Sequence, residues 1–98
     1  MNVAEIKARL IAEFDYPPHA AQAVADKVVA LTPVVGPVFE QWWADGQEPA
    51  LSVAGYSVER LRREHGMNTV AALMTLDWLV REPEKASASL RKGHDRIR

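Results

Sequence analysis

One carboxylate stands apart from the rest of the chain. Asp77 lies in the stretch 70–80, whose other members are apolar apart from Thr75. An acid held among apolar groups can serve as a general acid or base, because burial shifts its pKa. Catalysis needs a second group, and the sequence around Asp77 and Trp78 supplies no obvious one. Arg81 follows Asp77 at the i,i+4 spacing of a helical ion pair, which is the simpler role. The histidines are His19, His65 and His94, and none stands at metal-ligand spacing from another His or a carboxylate. Glu64 and His65 are adjacent and point apart. The absence of cysteine removes disulfides, thiolate metal sites and a thiol nucleophile. No glycine-rich phosphate loop or G-x-S-x-G elbow is present. The expectation is no catalytic residue, no metal ligand and no cofactor. The alternative to test is a small-ligand binder or enzyme with a pocket near Asp77 and Trp78.

Residues 57–81 carry a second kind of chemistry. Two helices flanking Gly66-Met67-Asn68 resemble a helix-turn-helix unit in spacing, with Leu61 and Met67 at its apolar positions. A helix that reads base edges or phosphates needs Arg, Lys, Asn, Gln, Ser or Thr on its outer face. In that register the outward positions include Val70, Leu73, Met74 and Asp77. Three are apolar and one is anionic. Arg62 and His65 also fall where such units pack small or apolar groups. Arg60, Arg62 and Arg63 are the residues a nucleic-acid-binding regulator would use, but Glu59 and Glu64 interrupt them. The chemistry disfavours nucleic acid and leaves a structural corner.

The leading expectation is a non-catalytic protein-interaction module that can self-associate as a homo-oligomer. It rests on a surplus of apolar faces. On a helical wheel the segment 69–81 has one sector of Ala72, Leu73, Leu76, Leu79 and Val80, and another of Val70, Met74 and Trp78. One sector must face the core, and the other is open to coverage by another helix or by a partner. Trp42, Trp43 and Tyr56 raise the same question, since aromatic groups with a polar tip suit both cores and interfaces. The candidate interface is Trp43, Val70, Met74, Trp78 and Arg81.

The elements that must position these groups are short helices with clear punctuation. Val3, Ile6, Leu10 and Phe14 give a first apolar stripe, ended by Asp15-Tyr16-Pro17-Pro18. The second helix starts near Pro18 or His19, with the stripe Ala21, Val24, Val28 and Leu31. A third is predicted over Pro37 to Asp45, stopped at Gly46. Residues 47–56 read as an extended connection, too short and isolated to join a sheet. Ser57 caps a fourth helix over Val58 to His65, with Tyr56 and Leu61 spaced as a hydrophobic staple. Asn68 caps the fifth, which ends near Arg81 or Glu82. Pro83 starts a sixth that stops at Gly93, followed by a basic, frayed tail at 94–98.

The fold expected is therefore all-α: an orthogonal bundle of five or six short helices with a central apolar helix, residues 1–93 forming a single domain. With 98 residues, 48% hydrophobic and 26% charged, one core can form unaided. The early charges Glu5, Lys7, Arg9 and Glu13 leave no room for a secretory signal, and no apolar run approaches the roughly 20 residues of a membrane span. Both point to a cytoplasmic protein without membrane contact. Net charge is −1. Residues 1–50 hold seven acidic and three basic groups, net −4, and residues 51–98 hold six and nine, net +3. Such polarity is satisfied within one molecule, head-to-tail between two, or by an anionic ligand on the basic half.

Overall fold

The computed structural model describes residues 2–97, with side chains described through residue 92. Among the described residues there are six helices and one two-stranded ladder, so the all-α expectation stands. By internal contacts the chain falls into two units, Met1–Leu31 and Thr32–Arg98.

The first unit is a pair of helices packed on each other, α1 (Val3–Phe14) and α2 (Pro18–Val28). Asn2 caps α1, its Oδ1 accepting the Glu5 N–H at 2.9 Å. Ile6 and Leu10 are fully buried. The helix ends where Asp15 turns left-handed (φ 57°) and the Tyr16 N–H donates to the Leu10 carbonyl. Pro17 and Pro18 then open α2 at positions that need no N–H. The buried face of α2 is Ala21, Ala25 and Val28, not the expected run through Val24 and Leu31. Spacings of four and three keep that narrower row in line. Beyond it the chain tightens into i→i+3 turns, Ala30 to Lys27 and Leu31 to Val28, which takes Leu31 out of the helical register.

The second unit begins with a turn at residues 32–35. Its Gly36 N–H donates to the Thr32 carbonyl at 2.7 Å. The third helix, α3 (Gly36–Asp45), starts one residue earlier than expected, with Pro37 in its first turn. Phe39 is its one fully buried side chain. Gly46 ends it in the left-handed conformation (φ 74°), its N–H donating to the Trp42 carbonyl.

The connection that follows differs from its sequence reading. Ser52–Val53 (β1) and Tyr56–Ser57 (β2) pair antiparallel, Ser52 opposite Ser57 and Val53 opposite Tyr56. The reason is the two-residue turn between them. Ala54 and Gly55 both take positive φ, 52° and 84°, which matches the twist of a tight hairpin. The ladder is not an isolated ribbon, since both strands contact the fifth helix.

Ser57 then caps α4 (Val58–His65), its Oγ accepting the Arg60 N–H at 3.1 Å. Gly66 (φ 66°) closes α4 by donating to the Arg62 carbonyl. Asn68 caps α5 (Thr69–Arg81), its Oδ1 accepting the Ala71 N–H at 2.8 Å. Along α5, Val70, Ala72, Leu73, Leu76, Asp77 and Leu79 are buried. This helix contacts α4, both strands and α6 (Pro83–Ile97), as a near-continuous apolar sequence requires. Full burial of Leu73, Leu76 and Leu79 contributes on the order of 1.5–3 kcal/mol each. Among the described side chains of α6, Ala86 and Leu90 are buried. That helix continues through Gly93. The side chains of the expected basic tail, 94–98, lie outside the described residues.

Candidate interaction surface

Asp77 belongs to the framework of the second unit. It is 7% exposed, the one charged residue buried among those described. Its Oδ1 accepts two hydrogen bonds from Thr32, from the backbone N–H at 2.9 Å and the hydroxyl at 2.7 Å. Its Oδ2 accepts from the Arg81 Nε at 2.9 Å. The i,i+4 pair anticipated from sequence is therefore present, with a half-exposed guanidinium. Thr32 is the partner that sequence reasoning missed. Burial alone pushes the carboxyl pKa up. The amide and hydroxyl of Thr32, together with Arg81, outweigh it and hold the group ionised to lower pH than usual. Both carboxylate oxygens are thus engaged, which leaves Asp77 ill-suited to proton transfer.

The register imagined for a DNA-reading helix is corrected by the burial of α5. Val70 and Leu73 are fully buried and Asp77 nearly so. Of the four positions taken as outward, only Met74 keeps appreciable exposure. The outward face differs because α5 meets α4, α6 and the hairpin on several sides, which a helix-turn-helix register does not encode. The three arginines of α4 are each matched to carboxylates. Arg60 Nε lies 3.1 Å from Glu64 Oε2, and its guanidinium also donates to the Gly55 carbonyl and covers the Tyr56 ring at 4.4 Å. Arg62 meets Glu48 at 2.6 Å, while Arg63 meets Glu59 at 2.9 Å and Glu64 at 3.3 Å. The hydrogen bond from Arg60 is the main cause holding the Glu64 carboxyl below its ordinary range. Arg60 thus fastens the hairpin to α4 and Arg62 fastens the 46–51 segment to it, while Arg63 pairs within the helix.

The predicted interface residues divide by burial. Trp43, Met74 and Trp78 are half-buried and Arg81 is exposed, so each retains surface. Val70 has none and is withdrawn from that set. Trp78 donates its indole N–H to Glu82 Oε1 at 3.3 Å, and Glu82 in turn meets Lys85 at 3.2 Å. On α3 the aromatic side chains form a cluster rooted in the core. Buried Phe39 stacks on Trp43 at 5.3 Å between centroids and meets Trp42 edge-on at 5.6 Å. Phe39 thereby fixes the two indoles, each of which stays half-exposed.

Beside this cluster the chain forms an open groove of about 330 Å³. Val38 and Trp42 of α3 line one side, and Pro49 and Leu51 of the following segment line the other. Its turn is held by Asp45, whose Oδ1 accepts the Gln47 N–H at 2.9 Å, and by the Glu48–Arg62 ion pair. A second, shallower hollow is bordered by Glu48, Glu59, Arg62, Arg63, Gly66 and Met67. Its charges are already matched among themselves. Among the described residues no group of three or more His, Asp or Glu side chains is placed to hold a metal ion. Among the described residues no helix is long and apolar enough to cross a membrane. No family model, no curated protein and no solved structure matches this chain.

Proposed function

We propose that this chain is a non-catalytic protein-interaction module able to self-associate. One observation carries the reading: all three tryptophans, Trp42, Trp43 and Trp78, are half-exposed rather than enclosed. Indoles are large apolar groups whose remaining exposed area is favourable to cover, and they dominate the energetics of protein interfaces. Phe39 stacks beneath Trp43 and a hydrogen bond ties Trp78 to Glu82, so both present ordered surface at little entropic cost. Met74 adds an adaptable apolar side chain. Supporting the choice over nucleic acid, the arginines of α4 spend their charge on Glu48, Glu59 and Glu64.

The test has two arms. In the first, the full chain is immobilised and exposed to nuclease-treated lysate, alongside Trp43→Ala and Trp78→Ala variants shown to be folded. In the second, sedimentation velocity follows the free protein over a wide concentration range. A nuclease-resistant partner, or a self-associated species, that weakens in either variant supports the reading. A chain that stays monomeric throughout and retains no Trp-dependent partner overturns it.

A further inference from the structure

The groove beside Trp42 has a one-sided chemistry. Every ionisable group lining it is a carboxylate, Asp45 or Glu48, and no Lys, Arg or His contributes. The two acids are not equivalent. Glu48 is neutralised by Arg62 at 2.6 Å. Asp45 is exposed, and it uses one oxygen to accept the Gln47 N–H while its other oxygen faces no donor among the described residues. The groove thus offers one open negative charge at the end of a wall made by Val38, Trp42 and Leu51.

Its size limits the occupant. A volume of about 330 Å³ lies at the small end of ligand pockets. It accepts one or two side chains and cannot seat a helix, which is about 10 Å across. An apolar wall leading to a carboxylate suits an amphipathic cation, whose aliphatic stem lies on apolar surface while its head reaches the charge. An indole in the wall adds to the attraction for a cation placed over its face. The geometry points to this groove as the docking site for a Lys or Arg side chain carried on an extended segment of a partner protein. This assignment rests on the interaction-module reading and names the chemistry of its partner.

The experiment is a heteronuclear NMR titration of the full chain with acetyl-Ala-Leu-Lys-Arg-Leu-Ala-amide and with the same peptide carrying Glu-Glu in place of Lys-Arg. The expected result is a saturable shift of the Trp42 indole and of the Asp45 and Leu51 amides with the basic peptide only, weakening as salt rises. Asp45→Asn keeps an acceptor for the Gln47 N–H and removes only the charge, so it should reduce affinity about two- to fivefold with the spectrum otherwise preserved. Absence of a shift with the basic peptide overturns the proposal, as does an equal shift with the Glu peptide. Concentration-dependent shifts of the same signals without peptide would seat a second copy there and overturn the assigned occupant. None of these results removes the broader reading, which is tested through Trp43 and Trp78, residues that do not line the groove.

Discussion

Replacing Asp77 by Ala should be the most damaging single polar substitution on α5, and its cost can be worked from its three hydrogen bonds. The carboxylate accepts the Thr32 N–H and Thr32 hydroxyl at one oxygen and Arg81 Nε at the other. Removing it strands two part-buried donors of Thr32, and leaving a buried donor unsatisfied costs roughly 1–3 kcal/mol. Arg81 adds little, because its side chain is half-exposed and an ion pair in that setting contributes about 0–1 kcal/mol. The expected loss is about 2–4 kcal/mol for Asp77→Ala. Asp77→Asn, which keeps one acceptor for Thr32, should lose about half as much. For a domain of this length each kcal/mol moves Tm by roughly 4–8 °C. The pH dependence follows from the lowered pKa. A carboxyl more acidic when folded contributes stability that is present above its unfolded pKa of about 3.9 and lost as pH falls through the lower folded value. Wild type should therefore lose more stability than Asp77→Asn between about pH 5 and pH 2. Guanidinium unfolding of wild type, Asp77→Ala, Asp77→Asn and Arg81→Ala measures all of this. If Asp77→Ala stays within about 0.5 kcal/mol of wild type, or Arg81→Ala costs as much, the Thr32 anchoring is wrong.

Three further outcomes are expected. Gly66→Ala should lose about 1–2 kcal/mol by chemical denaturation, since φ is +66° and space is not the obstacle, nothing lying within 4 Å of an added Cβ. Asn68→Ala removes the acceptor for the Ala71 N–H and should cost about 1 kcal/mol, with lower helicity by circular dichroism. Leu73→Ala opens a cavity at a fully buried site and should cost about 2–5 kcal/mol, whereas Met74→Ala, at a half-buried neighbour, should cost clearly less in the same assay.

What the sequence made legible was the part encoded within a few residues. Ser57 and Asn68 cap the helices they precede, and Gly46 and Gly66 end theirs in the left-handed conformation. Each depends on a residue's type and on a hydrogen bond to a backbone group no more than four residues away, so the local sequence carries that information. The hairpin was local too, yet its signal was weak. Ala54-Gly55 lacks the Asn or Asp that usually announces such a turn, and two paired residues per strand show no alternation to read. Burial was a different problem. The stretch 70–80 shows that α5 is apolar on most sides but cannot say which side other elements cover, and Val70 and Leu73, outward in a helix-turn-helix register, are fully buried.

The Thr32–Asp77 contact marks the limit most sharply. It joins residues 45 positions apart, and no local pattern foretells it. Asp77 is nevertheless conspicuous in the sequence as a charge in apolar surroundings, and that setting underlies both of the roles open to it. A buried carboxylate is costly unless its oxygens are satisfied. If they were left open toward a cavity, the group would be poised for chemistry. Here three donors close on it, the pKa falls instead of rising, and the charge becomes an anchor for the turn that leads into α3. Asp45 shows the opposite arrangement on the same helix's last turn: exposed, one oxygen in use, beside an indole and an apolar wall. Partner satisfaction, not the oddity of a residue in its sequence, separates the carboxylate that builds the fold from the one left to meet something outside it.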